Sequence, residues 1–130
     1  VASREHSLLD STTQLAEVVR KATARRGYQR IDPATRTFQA IRIWVNRELE
    51  ELDAWLLAVC RRLRAGARFA VLTFHSLEDR IVKHTFRRFD RDDALAIKVL
   101  TKRPVRPSPD EVKRNSRSRS AKLRVAERIA

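Results

Sequence analysis

In the stretch AVLTFHSLEDRIVKHTFRR, residues 70–88, an apolar run ends at Phe74 and His75, Ser76, Glu78, Asp79 and Arg80 follow at once. Such a set offers a ring nitrogen, a hydroxyl, two carboxylates and a guanidinium within six positions, enough to hydrogen-bond a polar substrate from one side. In open α/β sheets ligands bind outside the carboxyl ends of strands, and these five residues emerge there, as candidates for a pocket wall. Backbone N–H groups of the same turn could hold an anion. A plainer origin also fits: Ser76 and Asp79 have the spacing of a helix N-cap and its third residue, so helix initiation alone accounts for them.

The elements that would position this loop can be read from periodicity. FAVLTF is a short apolar strand of the kind buried on both faces in a parallel sheet. SLEDRIVKHTFRRF is a helix beginning on the spot, LAIKVLTKRPV a second strand, PSPDEVKRN a short helix capped by Ser108 with Pro109 first, and AKLRVAERI a closing strand. The last two strands form an antiparallel pair at a sheet edge. The Arg/Ser-rich connection KRNSRSRSAK between the last helix and strand is expected to stay mobile until it meets an anion.

Upstream the chain is helical. Ser11 and Gln14 have capping-box spacing, Leu15, Val18, Val19 and Ala22 share one helical face, and Gly27 can end that helix. After Pro33, residues Phe38, Ile41, Val45, Leu49, Leu52, Leu56, Val59 and Leu63 form a helical seam, with NRELEEL a bend or break within it. Trp44 and Trp55 flank the seam and read as core or near-core aromatics.

Bulk properties narrow the partners. The 130 residues carry 29 Lys+Arg against 16 Asp+Glu, a formal charge of +13, and 23 of the bases are Arg. An Arg excess suits forked phosphate contacts and base stacking, so RNA is the favoured partner. Cys60 is the single cysteine, which excludes an internal disulfide and a cysteine zinc site; it reads as a small buried side chain. His6, His75 and His84 are too scattered for a metal set. No membrane span or signal peptide is visible. A chain that starts with Val and holds no Met is expected to be a fragment or a processed product.

A nucleotide or S-adenosylmethionine pocket normally needs a Gly-rich turn after the first strand and an acid after the second. Only Gly27 and Gly66 occur, neither in such a turn, and no P-loop, nucleophile elbow or HExxH motif is present. Three segments, DPATRTFQAIRIWVNRELEEL, RFAVLTFHSLEDRIVKHTFRR and KRPVRPSPDEVKRNSRSRSAKLRVAER, nevertheless closely resemble successive signatures of the ribosomal RNA small subunit methyltransferase H family, also called MraW. The resemblance runs from about Leu15 to the end. The chain departs from the family pattern at Asp32, where His is usual, at Ala65–Gly66–Ala67–Arg68, which replaces a PGGR loop, and at Ser116, where Pro is usual. The segment between Arg88 and Leu95 is also shorter than in many members.

The resemblance implies an α/β fold: the C-terminal strands of an incomplete, Rossmann-like S-adenosylmethionine-dependent methyltransferase sheet, with a helical substrate-recognition insert. Residues 1–64 would be the insert and residues 65–130 the C-terminal part of the methyltransferase domain. The implied activity is methylation of a cytidine N4 in small-subunit ribosomal RNA, in the service of ribosome biogenesis, with the cofactor-binding half upstream and no cofactor or metal ligand on this chain. The chain by itself is therefore expected to be inactive. His75, Ser76, Glu78, Asp79 and Arg80 would line the wall opposite the amine-facing loop, none of them a general base. Thr35, Arg36, Thr37, Gln39 and Arg42 would grip RNA near the target, and Lys102, Arg103, Arg106, Arg114, Arg117 and Arg119 would contact phosphates. The alternative is an inactive RNA-bound factor of this ancestry in small-subunit assembly. The expected compartments are a bacterial cytoplasm or the mitochondrial matrix.

Overall fold

A computed structural model describes residues 9–24 and 31–130. The chain divides into two compact units, Val1–Glu48 and Leu49–Ala130. His6, Gly27 and most of the basic stretch around Gly27 lie outside the described residues.

The first unit contains helices α1 (Thr12–Thr23) and α2 (Pro33–Val45). α1 starts as its sequence predicts: Ser11 Oγ accepts from the Gln14 amide at 3.2 Å and Gln14 Oε1 accepts from the Ser11 amide at 3.2 Å, a complete capping box. Its apolar stripe is shallow; Ala16 is buried, Leu15, Val18 and Val19 are half-buried and Ala22 is exposed. α2 begins at Pro33, whose missing N–H costs nothing at a first helical position. Asp32 caps it, accepting from the Ala34 amide at 2.9 Å, and also pairs with Arg20 of α1 at 2.6 Å.

The seam expected to run from Phe38 to Leu63 breaks at 46–51, where Arg47 and Glu51 adopt left-handed backbone angles (φ 52° and 60°) that no helix can continue through. Its upstream half is not core: Ile41 and Val45 are exposed, and Trp44 is 80% exposed, which corrects its expected burial. Downstream, α3 (Leu52–Arg62) places Leu56 and Cys60 fully inside the second unit. Compact packing in that unit thus begins at Leu49, ahead of the segment boundary expected at 64/65, because α3 supplies core side chains there.

The second unit is a three-stranded sheet with helices against one face. Strands β1 (Arg68–Thr73), β2 (Ile97–Val99) and β3 (Lys122–Arg128) are ordered β1-β3-β2, with both pairings antiparallel. The expected antiparallel β2–β3 pair is present, with β2 at the edge of these three strands and β3 central. β2 is shorter than LAIKVLTKRPV suggested, since a 3-10 turn over Asp93–Leu95 and a left-handed Ala96 precede it; Val105 rejoins the sheet as an isolated bridge to Leu123.

Period-two alternation assigns Phe69, Val71, Thr73, Arg124, Ala126, Ile97 and Val99 to the inner face. On it lies α4 (Ser76–Phe89), which buries Val82, Thr85, Phe86 and Phe89 at helical spacing. Phe86 and Phe69 meet in a tilted pair with centroids 5.7 Å apart, and Trp55 continues the stack at 6.0 Å from Phe69 while its outer edge stays half exposed. Burying Phe69 and Phe86 contributes about 2–3 kcal/mol each before entropy is counted. β1 is not covered on both faces among the described residues: its pairing is antiparallel, and Leu72 on the outer face is 54% exposed.

The final connection carries regular structure. α5 (Pro109–Arg114) is capped by Ser108, which accepts from the Glu111 amide at 3.1 Å, and a 3-10 turn follows over Ser116–Ser120. Ser118 is buried there and donates to the Asn115 carbonyl at 2.8 Å, holding Arg117 and Arg119 outward on a defined backbone.

Candidate functional site

At the carboxyl end of β1 the chain turns into α4 within two residues. The N-cap is His75, one position earlier than expected. Its Nδ1 accepts from the Glu78 amide at 3.3 Å, while Glu78 Oε2 accepts from the amides of His75 at 3.4 Å and Phe74 at 3.1 Å. The reciprocal box is therefore His75–Glu78 and not Ser76–Asp79, because His75 has the extended backbone a cap requires and Ser76 is already helical.

With Nδ1 accepting, the neutral ring carries its proton on Nε2. That atom is buried and without a geometrically sound hydrogen bond, although Glu78 Oε1 lies 3.1 Å away. The His75 ring is 9% exposed, so it works mainly as a rigid plug under the turn. Of the amides in this turn, those of Phe74, His75 and Glu78 are engaged by these bonds.

Asp79 points the other way, into the sheet. Its carboxylate receives Arg124 Nε at 2.7 Å, Arg124 Nη2 at 3.3 Å and Lys122 Nζ at 3.4 Å. Burial pushes this carboxyl up, but the charges and hydrogen bonds of Arg124 and Lys122 outweigh it and hold Asp79 below its ordinary value of 3.8. The triad ties the first turn of α4 to the central strand, fixing where the loop sits. The expected wall set thus separates by environment: Ser76 and Arg80 are exposed, His75 and Glu78 form the cap, and Asp79 is a buried clasp.

Lys122 and Arg124 were not singled out from sequence. The signal was present, since they lie two apart in a strand and so share a face with buried Ala126; a cation on an inward face requires an acid nearby.

The other expected contacts are distributed over both units. In α2, Thr35 and Arg36 are exposed and Thr37 and Gln39 half-buried, while the Arg42 fork is engaged by Glu48 at 3.0 and 3.1 Å. Lys102, Arg103, Arg106, Arg114, Arg117 and Arg119 are all exposed, and among the described residues none of them forms an ion pair. Free exposed Arg and Lys side chains keep their donors for phosphate oxygens.

The described residues do not form a cradle for S-adenosylmethionine. The turn after β1 has no glycine, and the amides of Phe74, His75 and Glu78 are bonded within it; Gly66, with φ 77°, precedes β1 and serves the tight turn that returns its amide to the Arg128 carbonyl at 2.6 Å. No helix among the described residues is long and apolar enough to cross a membrane.

A mixed α/β unit, a short antiparallel sheet with helices on one face and a capped polar turn at a strand's carboxyl end, agrees with part of a methyltransferase-like fold. Residues 1–129 match the MraW methylase family, and the chain belongs to it. Among its relatives, the ribosomal RNA small subunit methyltransferase H of Maridesulfovibrio salexigens is 48% identical over 143 residues, covering 98% of this chain and 44% of that protein. The proteins of the same name from Anaplasma marginale (strain Florida) and Thermomicrobium roseum are 46% and 48% identical; they cover 99% and 100% of this chain, and 43% and 44% of their own lengths are matched. The chain thus spans less than half the length of these curated relatives.

Proposed function

We propose that this chain is the C-terminal portion of an S-adenosylmethionine-dependent methyltransferase acting on cytidine N4 in small-subunit ribosomal RNA, within a bacterial cytoplasm. The observation that carries the reading is the family match over residues 1–129, together with relatives near 47% identity that are named ribosomal RNA small subunit methyltransferases. In it, residues 1–64 serve substrate recognition, residues 65–130 complete the catalytic domain, and the methyl donor is held by polypeptide outside this chain. The exposed apolar outer sheet face, with Leu72 54% and Val105 54% exposed, supports that division, because such a face is stable when further structure covers it.

The cofactor supplies an electrophilic methyl group. The amine of cytidine is a poor nucleophile, its lone pair being delocalised into the ring, so the protein's task is to hold the flipped base in line with that methyl. Ser76 and Arg80 present a hydroxyl and a guanidinium from the first turn of α4 toward base, ribose or the facing loop. His75, Glu78 and Asp79 keep that turn in place. Thr35, Arg36, Thr37, Gln39 and Arg42 grip RNA near the target, and Lys102, Arg103, Arg106, Arg114, Arg117 and Arg119 contact phosphates.

The test compares the 130-residue chain with a polypeptide extended to the length of its relatives. By calorimetry the short chain is expected to show no S-adenosylmethionine binding, and the long one a complex together with methyl transfer from labelled cofactor to small-subunit RNA. A micromolar complex with the short chain would overturn the division of labour. A long polypeptide that binds RNA but transfers no methyl group would favour the inactive assembly factor instead.

A further inference from the structure

Beside the C-terminal half of α4 lies a cleft of about 450 Å³, of whose charged lining only Lys102 and Arg124 have a role above. Its charged lining is Lys83, Arg87, Asp90, Arg91, Lys102 and Arg124. Lys83, Arg87 and Arg91 recur every four residues along α4 and just past its end, a row roughly 12 Å long at the helical rise. Lys102 faces them from the segment after β2.

One acid, Asp90, also lines the cleft, and its charge offsets one of the cations there. Asp90 Oδ1 accepts from the Val99 amide at 2.7 Å, and Asp79 is the partner of Arg124. Among the described residues, Lys83, Arg87, Arg91 and Lys102 form no ion pair. Four like charges around one cleft repel one another, and an anion placed among them relieves that repulsion. A linear row matches a chain of phosphates better than one small anion.

We propose that this cleft is a second RNA-backbone site, in which Lys83, Arg87, Arg91 and Lys102 grip consecutive phosphates. It rests on the reading of the chain as RNA-directed and deepens it. Arg87 lies roughly 16 Å along α4 from Ser76, so a strand occupying both places extends several nucleotides beyond the target base. The cleft anchors the flank, while the first turn of α4 faces the target.

The test is Arg87→Gln/Arg91→Gln in the chain, both residues being exposed and free of side-chain partners among the described residues, so that the fold is kept. Binding of a fluorescent single-stranded small-subunit RNA fragment is followed by anisotropy across a salt series. The log–log salt slope should become shallower by about 1.4 for the pair, and by about 0.7 more when Lys83→Gln is added. A steep wild-type slope that the pair leaves unchanged overturns the cleft and leaves the RNA reading standing. A wild-type chain with no salt-dependent RNA binding overturns the RNA reading itself. If Arg64→Gln/Lys98→Gln lowers the slope equally, the effect is net charge alone and the cleft is refuted. Displacement of the RNA by micromolar inorganic phosphate would mark a small-anion site and also refute it.

Discussion

Replacing Asp79 with Asn keeps the side chain's shape and removes its charge, leaving Arg124 and Lys122 facing a neutral amide. The three side chains are 13%, 7% and 19% exposed, so little water is available to take over. Removing one member of a buried ion pair costs about 3–5 kcal/mol, because the remaining charge is left uncompensated. The Asn carbonyl can still accept one hydrogen bond and Lys122 can turn toward solvent, which places the expected loss near 3 kcal/mol at pH 7. Acid supplies a second signature. Asp79 titrates below its ordinary value in the folded chain, so its contribution is fully present above about pH 4 and is lost as pH falls through the lower folded value. Urea unfolding followed by circular dichroism, at pH 7 and at steps below pH 4, should show the wild-type and variant curves approaching one another in acid. Adding Arg124→Met should restore part of the loss, since the stranded cation is then gone. A loss under 1 kcal/mol at pH 7, or a gap that stays constant with falling pH, would refute the clasp.

Other consequences follow from the same packing. His75→Ala should cost about 1 kcal/mol by urea unfolding, and His75→Asn much less, because Asn is itself a good N-cap; equal losses would mean the cap does not contribute. Phe86→Ala should cost about 3–5 kcal/mol, as expected for a fully buried aromatic at the inner end of the Trp55–Phe69–Phe86 stack. Cys60 is 1% exposed and burial pushes its thiol up, so a thiol reagent at pH 8 should modify it only as the chain unfolds; rapid modification of the folded chain would contradict this burial.

Much of this architecture was legible because local signals agreed with the outcome. Ser11 and Ser108 start helices by accepting from first-turn amides, Pro33 and Pro109 sit where a missing N–H costs nothing, and period two or 3.6 located β1, β3 and α4. What was not legible depended on long-range partners. The identity of the cap in FHSLEDR was decided by the extended backbone of His75, a one-residue shift that periodicity does not resolve. That shift changed the meaning of Asp79, whose partners lie 43 and 45 residues away in β3. Trp44 satisfied the pattern of a core aromatic yet is exposed, since an apolar stripe states only that a face can be buried. The Arg/Ser connection looked disordered by composition; Asn115 and the buried Ser118 gave it a 3-10 turn instead.

The most direct measurement is mass-spectrometric mapping of small-subunit ribosomal RNA after incubation with S-adenosylmethionine and a polypeptide carrying this chain at the length of its relatives. The expected product is a single cytidine gaining one methyl group on its exocyclic nitrogen, with the gain abolished when residues 65–130 are deleted. Methylation at a ring carbon, on another base or on ribose, or an undiminished product without residues 65–130, would contradict the account.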